Sequence, residues 1–257
     1  MRPSRPAFEP VDSGPFVEDG AARLCQAACR PRTSSRLRST NSAPSSELFQ
    51  SRVESPTVRR LLLAGVEAFW RDGFHASSTP DIARRAQLSP AAVYVHFKAK
   101  EDLLYDIILY VGGHLRDRLR ETADKGGNPT ELLSRLMHAY VALPARMYKA
   151  SLVANREFSS LTVSQRKQIV KIRDELEEIV GNCLAAGKAS GEFSFDDLSL
   201  TRMAVISLCR STLLWYSPRG RYTPEEIGDH YVDLVLGMVG AKSNRNPQVD
   251  RGLLATG

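Results

Sequence analysis

Residues 58–104 read VRRLLLAGVEAFWRDGFHASSTPDIARRAQLSPAAVYVHFKAKEDLL and carry the clearest structural signal in the chain. Leu62, Val66 and Phe69 recur at helical spacing, which predicts an amphipathic first helix. Two short helices follow, each opened by a hydroxyl residue and a proline, and residues 87–89 supply a tight turn between them. Two short helices joined in this way predict a helix-turn-helix, whose second helix enters a major groove of DNA.

The outer side of this second short helix combines small side chains with hydrogen-bond donors. Ala91, Ala92 and Val95 would allow close approach to base edges and could touch thymine methyl groups. Tyr94 and His96 could donate to phosphate oxygens, which position a protein on DNA without reading its sequence. We therefore expect DNA contacts from Thr79, Arg84, Arg85, Ser89, Pro90, Ala91, Ala92, Tyr94, Val95, His96, Lys98 and Lys100.

Four basic residues surround the predicted DNA-reading helix. Arg84 and Arg85 precede the turn, and Lys98 and Lys100 follow the helix. Lys100 stands at the predicted start of the next helix, where backbone N–H groups and the helix dipole favour an anion such as phosphate. These cations would form a basic rim around the small side chains that face the bases.

The same stretch resembles the DNA-binding domain of the tetracycline-repressor (TetR) family. The family pattern is an apolar helix that ends in a glycine–aromatic pair, then T-x-x-x-I-A-x-x-A-x-x-S, a short helix ending in Y-x-x-F, and K-x-x-L. The matching residues are Gly73, Phe74, Thr79, Ile82, Ala83, Ala86, Ser89, Tyr94, Phe97, Lys100, Leu103 and Leu104. The resemblance implies that Tyr94, His96 and Lys100 contact phosphates. It also implies that Ala91, Ala92 and Tyr94 lie nearest the bases.

Five residues, in three places, depart from the family pattern. Gln87 stands where glycine is usual, so the turn must reach its conformation without glycine's freedom. Pro90, Ala91 and Ala92 replace the common Lys-Gly-Thr, which removes a cation and a hydroxyl from the DNA face. Ala99 replaces the usual cap before the next helix, at an expected cost of about 1 kcal/mol. These departures leave the predicted fold unchanged and alter the DNA sequence that the helix would read.

Apolar residues recur at intervals of three and four from residue 55 onward, and alternating strand-like runs are absent. The pattern predicts an all-α protein, with an N-terminal three-helix helix-turn-helix domain and a C-terminal helical ligand-binding and dimerisation domain. Thr79, Ser89 and Thr223, each followed by proline, are predicted N-caps. The nine predicted helices span 55–72, 79–86, 90–96, 100–124, 129–146, 150–160, 163–188, 197–216 and 223–240.

The composition of the chain suggests four segments. Residues 1–50 are rich in Arg, Ser, Pro and Ala and contain no Lys, which predicts a disordered extension or sequence translated upstream of the true start. Its arginines could also touch DNA phosphates without sequence preference. The DNA-binding domain would cover residues 51–100, the ligand-binding and dimerisation domain 101–241, and a disordered tail 242–257.

The family resemblance assigns roles to the helices of the C-terminal half. The last two, which are strongly apolar, would pair with those of a second chain and form a homodimer. A homodimer fits a palindromic double-stranded operator with half-sites about one helical turn apart. Helices four to seven would enclose a small-molecule effector, and ordinary core packing is the competing interpretation for its aromatic candidates. The candidate effector-binding residues are Tyr110, Tyr140, Met147, Tyr148, Phe158 and Arg210.

Two further features of this half bear on the effector. Arg210 interrupts an apolar helix, so it would pair with an acidic group of the effector or with an acid across the dimer. The stretches VANREFSSL (153–161) and LWYSPRGRYTPEEI (214–227) are similar to C-terminal domains of regulators of lipid or steroid catabolism, several of which sense acyl-CoA thioesters. The resemblance implies a repressor that an acyl-CoA or a related hydrophobic acid releases from its operator.

Composition and motifs exclude several other classes. The 257-residue chain carries a formal charge of +6 and has no apolar run long enough to span a membrane. Cys25, Cys29, Cys183 and Cys209 lack zinc spacing, which predicts a reduced cytoplasmic protein without metal or cofactor. No catalytic motif is present, so we expect no enzyme. Two alternatives remain: a redox-responsive regulator that uses Cys183 and Cys209, and a helical adaptor without DNA affinity.

Overall fold

A computed structural model describes Phe49 and residues 55–241 of the chain. Within these residues the chain forms nine α-helices, one 3₁₀ turn and no strand, which confirms the all-α prediction. The helices are α1 (Pro56–Asp72), α2 (Thr79–Arg85), α3 (Pro90–His96), α4 (Lys100–Asp124), α5 (Pro129–Arg146), α6 (Tyr148–Arg156), α7 (Val163–Ser190), α8 (Leu198–Trp215) and α9 (Pro224–Met238).

The observed helices follow the predicted ones in order, and the largest difference is at α6. The sequence predicts one helix over 150–160, whereas the α-helix ends at Arg156 and a separate 3₁₀ turn covers Phe158–Ser160. The backbone N–H of Ser160 donates to the carbonyl of Glu157, three residues back, instead of four. Hydrogen bonds of this spacing tighten the chain at a helix end, which periodicity alone does not reveal.

Side-chain caps fix the starts of the short helices. The Ser89 hydroxyl accepts from the N–H of Ala92 at 3.2 Å and caps α3, as predicted. For α2 the prediction of Thr79 is wrong, because Ser78 is the cap and accepts from the N–H of Asp81 at 3.3 Å. Thr79 is instead the first residue inside the helix. Both hydroxyls serve N–H groups that have no partner within the helix.

A small apolar core holds the first three helices together. The rings of Phe69 and Phe74 meet edge to face with centroids 5.3 Å apart, and both are buried. Ile82 from α2 and Val93 and Phe97 from α3 complete this core. Since the inward face of α3 carries Val93 and Phe97, its other side is left facing outward.

The turn between α2 and α3 contains the departure noted at Gln87. Its φ angle is +55°, so a residue with a Cβ occupies the left-handed region that glycine usually fills. Arg60 of α1 braces the turn: its guanidinium donates to the carbonyls of Ala86 at 2.5 Å and Gln87 at 3.1 Å. The turn therefore keeps its geometry through contacts with α1 as well as through its own backbone.

The helices behind the helix-turn-helix form the larger part of the described chain. α5 packs against α4, α7, α8 and, most extensively, α9. α1 contacts both α4 and α6, so the first three helices rest on two elements of the C-terminal half. In the described part of the chain no helix is long and apolar enough to cross a membrane.

Phe49 is buried, although it lies in the range 1–50 that the sequence predicts to be disordered. Its side chain has no exposed surface, and its ring centroid is 4.3 Å from that of Tyr110. Its backbone N–H donates to the Tyr110 hydroxyl at 3.1 Å. An aromatic side chain therefore fills space beside α4 at this one position, and disorder of the segment 1–50 stays a prediction. The rest of the range and the predicted tail 242–257 lie outside the described residues.

Candidate nucleic-acid interface and effector cavity

Helix α3 presents its predicted DNA face to the outside. Tyr94 is 56% exposed and Val95 is 78% exposed, and Ala91 and His96 are exposed as well. Ala92 is half-buried. Exposed apolar and aromatic side chains on a helix held by one face provide a surface that can approach the edges of bases.

The remaining predicted DNA contacts lie around this helix, but the two arginines are already paired. Arg84 donates to Asp81 at 2.6 Å, and Arg85 donates to Asp72 at 2.8 Å. The hydrogen bond from Ser78 and the neighbouring Arg84 lower the pKa of Asp81. The positive charge expected from Arg84 and Arg85 is therefore offset by one carboxylate of α2 and one at the end of α1. The other predicted contacts are Thr79, half-buried, and Ser89, Pro90 and Lys98, exposed.

Lys100 does not face outward as a phosphate ligand. Its ammonium donates to the carbonyls of Phe74, His75 and Ser77 at 3.0–3.3 Å and lies 4.4 Å from the centroid of the Phe74 ring. An ammonium has three N–H donors, and all three are used here. Lys100 therefore links the loop between α1 and α2 to the start of α4, and its contact with phosphate stays a prediction.

The start of α4 is likewise already supplied with an anion. Ala99 offers no capping side chain, as the sequence predicts, and the N–H of Ala99 donates to the Asp102 carboxylate at 3.2 Å. Glu101 and Asp102 both lie in the first turn. Since these carboxylates already complement the helix dipole, the expected phosphate site at this terminus has no support in the structure.

We expect Lys100→Met to destabilise the fold by about 2–3 kcal/mol, because three carbonyls lose a charged donor. For a domain of this size the melting temperature should fall by roughly 4–10 °C. Lys98→Met is the matched control, since Lys98 is exposed and its replacement should leave the melting temperature nearly unchanged. Thermal unfolding followed by circular dichroism measures both. Equal melting temperatures for Lys100→Met and the unmodified chain would contradict the structural role.

A cavity lies behind the helix-turn-helix, among helices α4 to α8. It contains about 800 Å³ of space free of protein atoms, part of it open to solvent. Its walls are mainly apolar, with Ile108 and Val111 from α4, Val141 from α5 and Ile172 and Leu176 from α7. A mostly apolar concavity with a few polar groups is typical of a small-molecule site.

Two of the six predicted effector-binding residues line this cavity, Tyr140 and Arg210. The other four lie elsewhere. Tyr110 contacts Phe49, and Tyr148 meets Tyr216 edge to face with centroids 5.5 Å apart. Phe158 lies beneath the guanidinium of Arg173 at 4.0 Å, and Met147 sits at the junction of α5 and α6. Their aromatic or apolar side chains are used for packing, which was the competing interpretation.

Two arginines stand at the cavity. Arg210 is exposed, contrary to the expectation of a buried cation, and Arg173 is half-buried. Neither forms an ion pair with any residue that the structure describes. Burial and the like charge of Arg210 lower the pKa of Arg173, so a negative charge between them would be favourable. Arg173 was not predicted as a site residue, since helical periodicity places it among ordinary surface positions of α7.

Two hydroxyls inside the cavity were also missed. Ser151 of α6 and Thr212 of α8 both line it, and both are 2% exposed. Neither hydroxyl has a hydrogen-bond partner within the protein. The only sequence signal was a small polar residue within an apolar helical run, which is common in helices and has many explanations. Tyr140, Asn155 and Glu177 also line the cavity with polar groups, and burial raises the pKa of Tyr140 to about 12.

The two described cysteines are poor candidates for redox sensing. Cys183 and Cys209 are both buried. Burial raises the pKa of each thiol to about 12, so the reactive thiolate is scarce near neutral pH. Cys25 and Cys29 lie outside the described residues. The structure therefore offers no support for the redox alternative at Cys183 and Cys209.

Helices α8 and α9 leave an apolar stripe exposed. On α8, Leu200, Met203 and Leu214 are 62%, 50% and 81% exposed and recur on one side of the helix. On α9, Leu234 and Met238 are 42% and 44% exposed, one turn apart. A contiguous exposed apolar surface of this kind marks a contact site for another protein surface.

Comparison with known proteins agrees with this architecture. Residues 61–107 match the family described as bacterial regulatory proteins, tetR family, and residues 126–239 match the tetracyclin repressor-like C-terminal domain. The fatty acid metabolism regulator protein of Bacillus subtilis is 23% identical, over 70% of this chain and 94% of its own. The transcriptional repressor KstR2 of Mycolicibacterium smegmatis is 26% identical, over 71% of this chain and 91% of its own.

A solved structure gives the same result. The TetR family transcriptional regulator PfmR from Thermus thermophilus is 30% identical and superimposes with a TM-score of 0.66, covering 69% of this chain and 97% of that one. The matched regions include the outward-facing α3 and helices α5 to α8, which supply most of the cavity wall. The chain therefore belongs to the TetR family of DNA-binding transcription regulators.

Proposed function

We propose that this regulator is a homodimeric repressor that a hydrophobic, negatively charged effector, of the acyl-CoA type, releases from a palindromic operator. One observation carries the proposal: α4 and α6 each contact α1 and also line the cavity. An effector in the cavity would therefore touch the elements that hold the DNA-binding helices in place.

The apolar stripe of α8 and α9 supports the dimer. Leu214 is 81% exposed although it is one of the largest apolar side chains of α8, and burial of such a side chain contributes about 1.5–3 kcal/mol. Two copies of the stripe would form a four-helix interface related by a twofold axis. That symmetry matches two outward α3 helices to the two halves of a palindrome.

The chemistry of the cavity supports the class of effector. Apolar walls fit a hydrocarbon body, and Arg173 and Arg210 supply positive charge for a carboxylate or phosphate. The names of the relatives agree, since one of them is a fatty acid metabolism regulator. An acyl thioester of coenzyme A combines a hydrocarbon chain with phosphates and therefore fits both requirements.

Coupling between cavity and DNA would run through α6 as well as α4. Lys149 of α6 lies 2.5 Å from the Glu67 carboxylate of α1 and 4.3 Å from the centroid of the Trp70 ring. Ser151, two residues further along α6, lines the cavity. A shift of α6 on effector binding would therefore move α1 and the spacing of the two α3 helices. By linkage, operator binding must weaken effector binding by the same factor.

The proposal is tested by operator release. Genomic fragments that bind the purified chain are selected, and their retention in a mobility-shift assay is measured against octanoyl-CoA, with coenzyme A alone as the control. We expect octanoyl-CoA to release the fragment at micromolar concentration and coenzyme A to have little effect. Retention that neither octanoyl-CoA nor longer acyl-CoA thioesters change would contradict the proposed effector class.

In the double variant Arg173→Gln, Arg210→Gln, the acyl-CoA concentration that releases the operator should rise by roughly tenfold or more. The reason is that each charged hydrogen bond to the effector contributes about 1.5–3 kcal/mol. The affinity of this variant for the operator without effector should be unchanged. Arg219→Gln, an exposed arginine away from the cavity, is the matched control and should behave as the unmodified chain. Release of the double variant at the unmodified concentration would exclude the arginines from effector binding.

A further inference from the structure

The two cavity hydroxyls differ from the other buried polar groups of the protein. Four polar side chains are buried among the residues that the structure describes: Ser77, Thr122, Ser151 and Thr212. Ser77 donates to the carbonyl of Gly73 at 2.7 Å, and Thr122 donates to the carbonyl of Arg118 at 2.8 Å. Each of these two hydroxyls, Ser77 in the loop after α1 and Thr122 in α4, therefore donates to the backbone carbonyl four residues earlier.

Ser151 and Thr212 make no such bond. Both lie inside helices, where a carbonyl four residues back is normally within reach, yet neither hydroxyl has a partner in the protein. Burying a hydroxyl without a partner is costly, with typical values of about 1–3 kcal/mol from mutational data. Two such groups occur in one cavity, on helices α6 and α8 that contact each other. Two buried hydroxyls without partners in the same cavity are therefore more than the chance placement of one polar side chain.

We infer that Ser151 and Thr212 form a polar subsite, defined by these two hydroxyls, for an oxygen atom carried within the apolar body of the effector. The inference rests on the proposed function and narrows its effector to acyl compounds that bear an oxo or hydroxy group on the chain. A carbonyl oxygen has two lone pairs and can accept from two hydroxyls, and a ligand hydroxyl can donate to one and accept from the other. A plain hydrocarbon chain leaves both hydroxyls unpaired.

The subsite is separate from the charged groups of the cavity. Arg210 is exposed and Arg173 is half-buried, whereas Ser151 and Thr212 are almost completely enclosed. The anionic head of the effector would meet the arginines at the open side, and the chain oxygen would lie in the interior. Selectivity from such a site is large, because the analogue that lacks the oxygen must strand buried polar groups.

The inference is tested by binding of two sets of probes to the full chain. The first is octanoyl-CoA, and the second is its analogues with one oxo or hydroxy group at each of carbons 3 to 7. Dissociation constants are measured by isothermal titration calorimetry. We expect at least one substituted analogue to bind roughly tenfold or more tightly than octanoyl-CoA, with the preferred carbon marking the position of the subsite.

The double variant Ser151→Ala, Thr212→Val removes both hydroxyls and preserves most of the side-chain volume. It should bind octanoyl-CoA at least as tightly as the unmodified chain does and should reduce the preference for the best substituted analogue to within about threefold. Thr122→Val is the matched control, since that buried hydroxyl already has a carbonyl partner outside the cavity, and it should keep the full preference. Circular dichroism checks that each variant is folded.

The outcomes separate this inference from the proposed function. Equal binding of all probes by the unmodified chain would overturn the subsite and leave the acyl-CoA effector standing. A preference that survives in the double variant would also overturn the subsite, because the oxygen would then bind elsewhere. Binding of none of the probes would overturn both. If the double variant does not fold, the single variants Ser151→Ala and Thr212→Val, which each remove one hydroxyl and are each expected to reduce the preference, provide the test.

Discussion

Replacing Tyr94 by alanine should reduce operator affinity by a factor of roughly 30 to 1000 without destabilising the protein. Tyr94 is 56% exposed on α3, so its removal leaves the core around Val93 and Phe97 intact. Each operator complex would lose two copies of the side chain, and a contact to DNA is worth about 1–2 kcal/mol per copy. A mobility-shift assay at a stated salt concentration measures the change.

Two further variants show which part of Tyr94 contacts DNA and whether the effect is specific to α3. Tyr94→Phe keeps the ring and removes the hydroxyl, so it separates a phosphate hydrogen bond from contact with bases. Tyr222→Ala is the matched control, because Tyr222 is 51% exposed but lies between α8 and α9, outside the DNA face. It should bind the operator as the unmodified chain does. If Tyr94→Ala retained full affinity, α3 could not be the helix that reads DNA.

Replacing Leu214 by aspartate should convert the proposed dimer to monomers. Leu214 is 81% exposed in the single chain, so the substitution should not disturb the fold of one protomer. In the dimer, two leucine side chains would lose burial worth about 1.5–3 kcal/mol each, and two carboxylates would have to be desolvated. We expect the dimer dissociation constant to rise at least a thousandfold, roughly, and operator affinity to fall with it.

Light scattering coupled to size exclusion gives the oligomeric state, and the mobility-shift assay gives the affinity. Val163→Asp is the matched control, since Val163 is a 61% exposed apolar residue at the start of α7, away from the stripe. It should remain dimeric. A Leu214→Asp variant that stayed dimeric, or an unmodified chain that was monomeric, would show that α8 and α9 do not form the dimer interface.

The sequence predicted the fold and the outward-facing side of α3 well because both depend on local signals, whereas DNA contact by that side stays a prediction. The hydroxyl–proline pairs and the Val93–Phe97 spacing define two short helices by rules that act within a few residues. Gln87 was identified as a residue forced into a glycine-like conformation, and its φ of +55° confirms this. Such properties follow from neighbours in the chain and need no knowledge of tertiary contacts.

Predictions that depended on distant partners were less successful. Lys100 looks like a phosphate ligand in the sequence, but its three carbonyl partners lie 23 to 26 residues earlier. Tyr110 looks like a cavity residue, but Phe49 reaches it from 61 residues away. In both cases the side chain has the right chemistry for the predicted role. Folding, however, brings it within contact of a partner that is distant in the sequence.

The residues that line the cavity were also difficult to predict from the sequence. Aromatic residues were the natural candidates for its lining, because they are the most visible apolar side chains in the sequence. The polar groups that the structure places there include Ser151 and Thr212, which are ordinary residues in a helical sequence. They become informative only when burial and the lack of a hydrogen-bond partner are known together.

The central claim, that a symmetric pair of α3 helices reads the major groove, is tested most directly by chemical footprinting on a selected genomic fragment. Dimethyl sulfate probes guanine N7, which lies in the major groove. We expect protection in two half-sites related by a twofold axis and separated by roughly 10 base pairs or a multiple of that distance. Uniform reactivity along the bound fragment, or protection confined to the minor groove, would contradict the account.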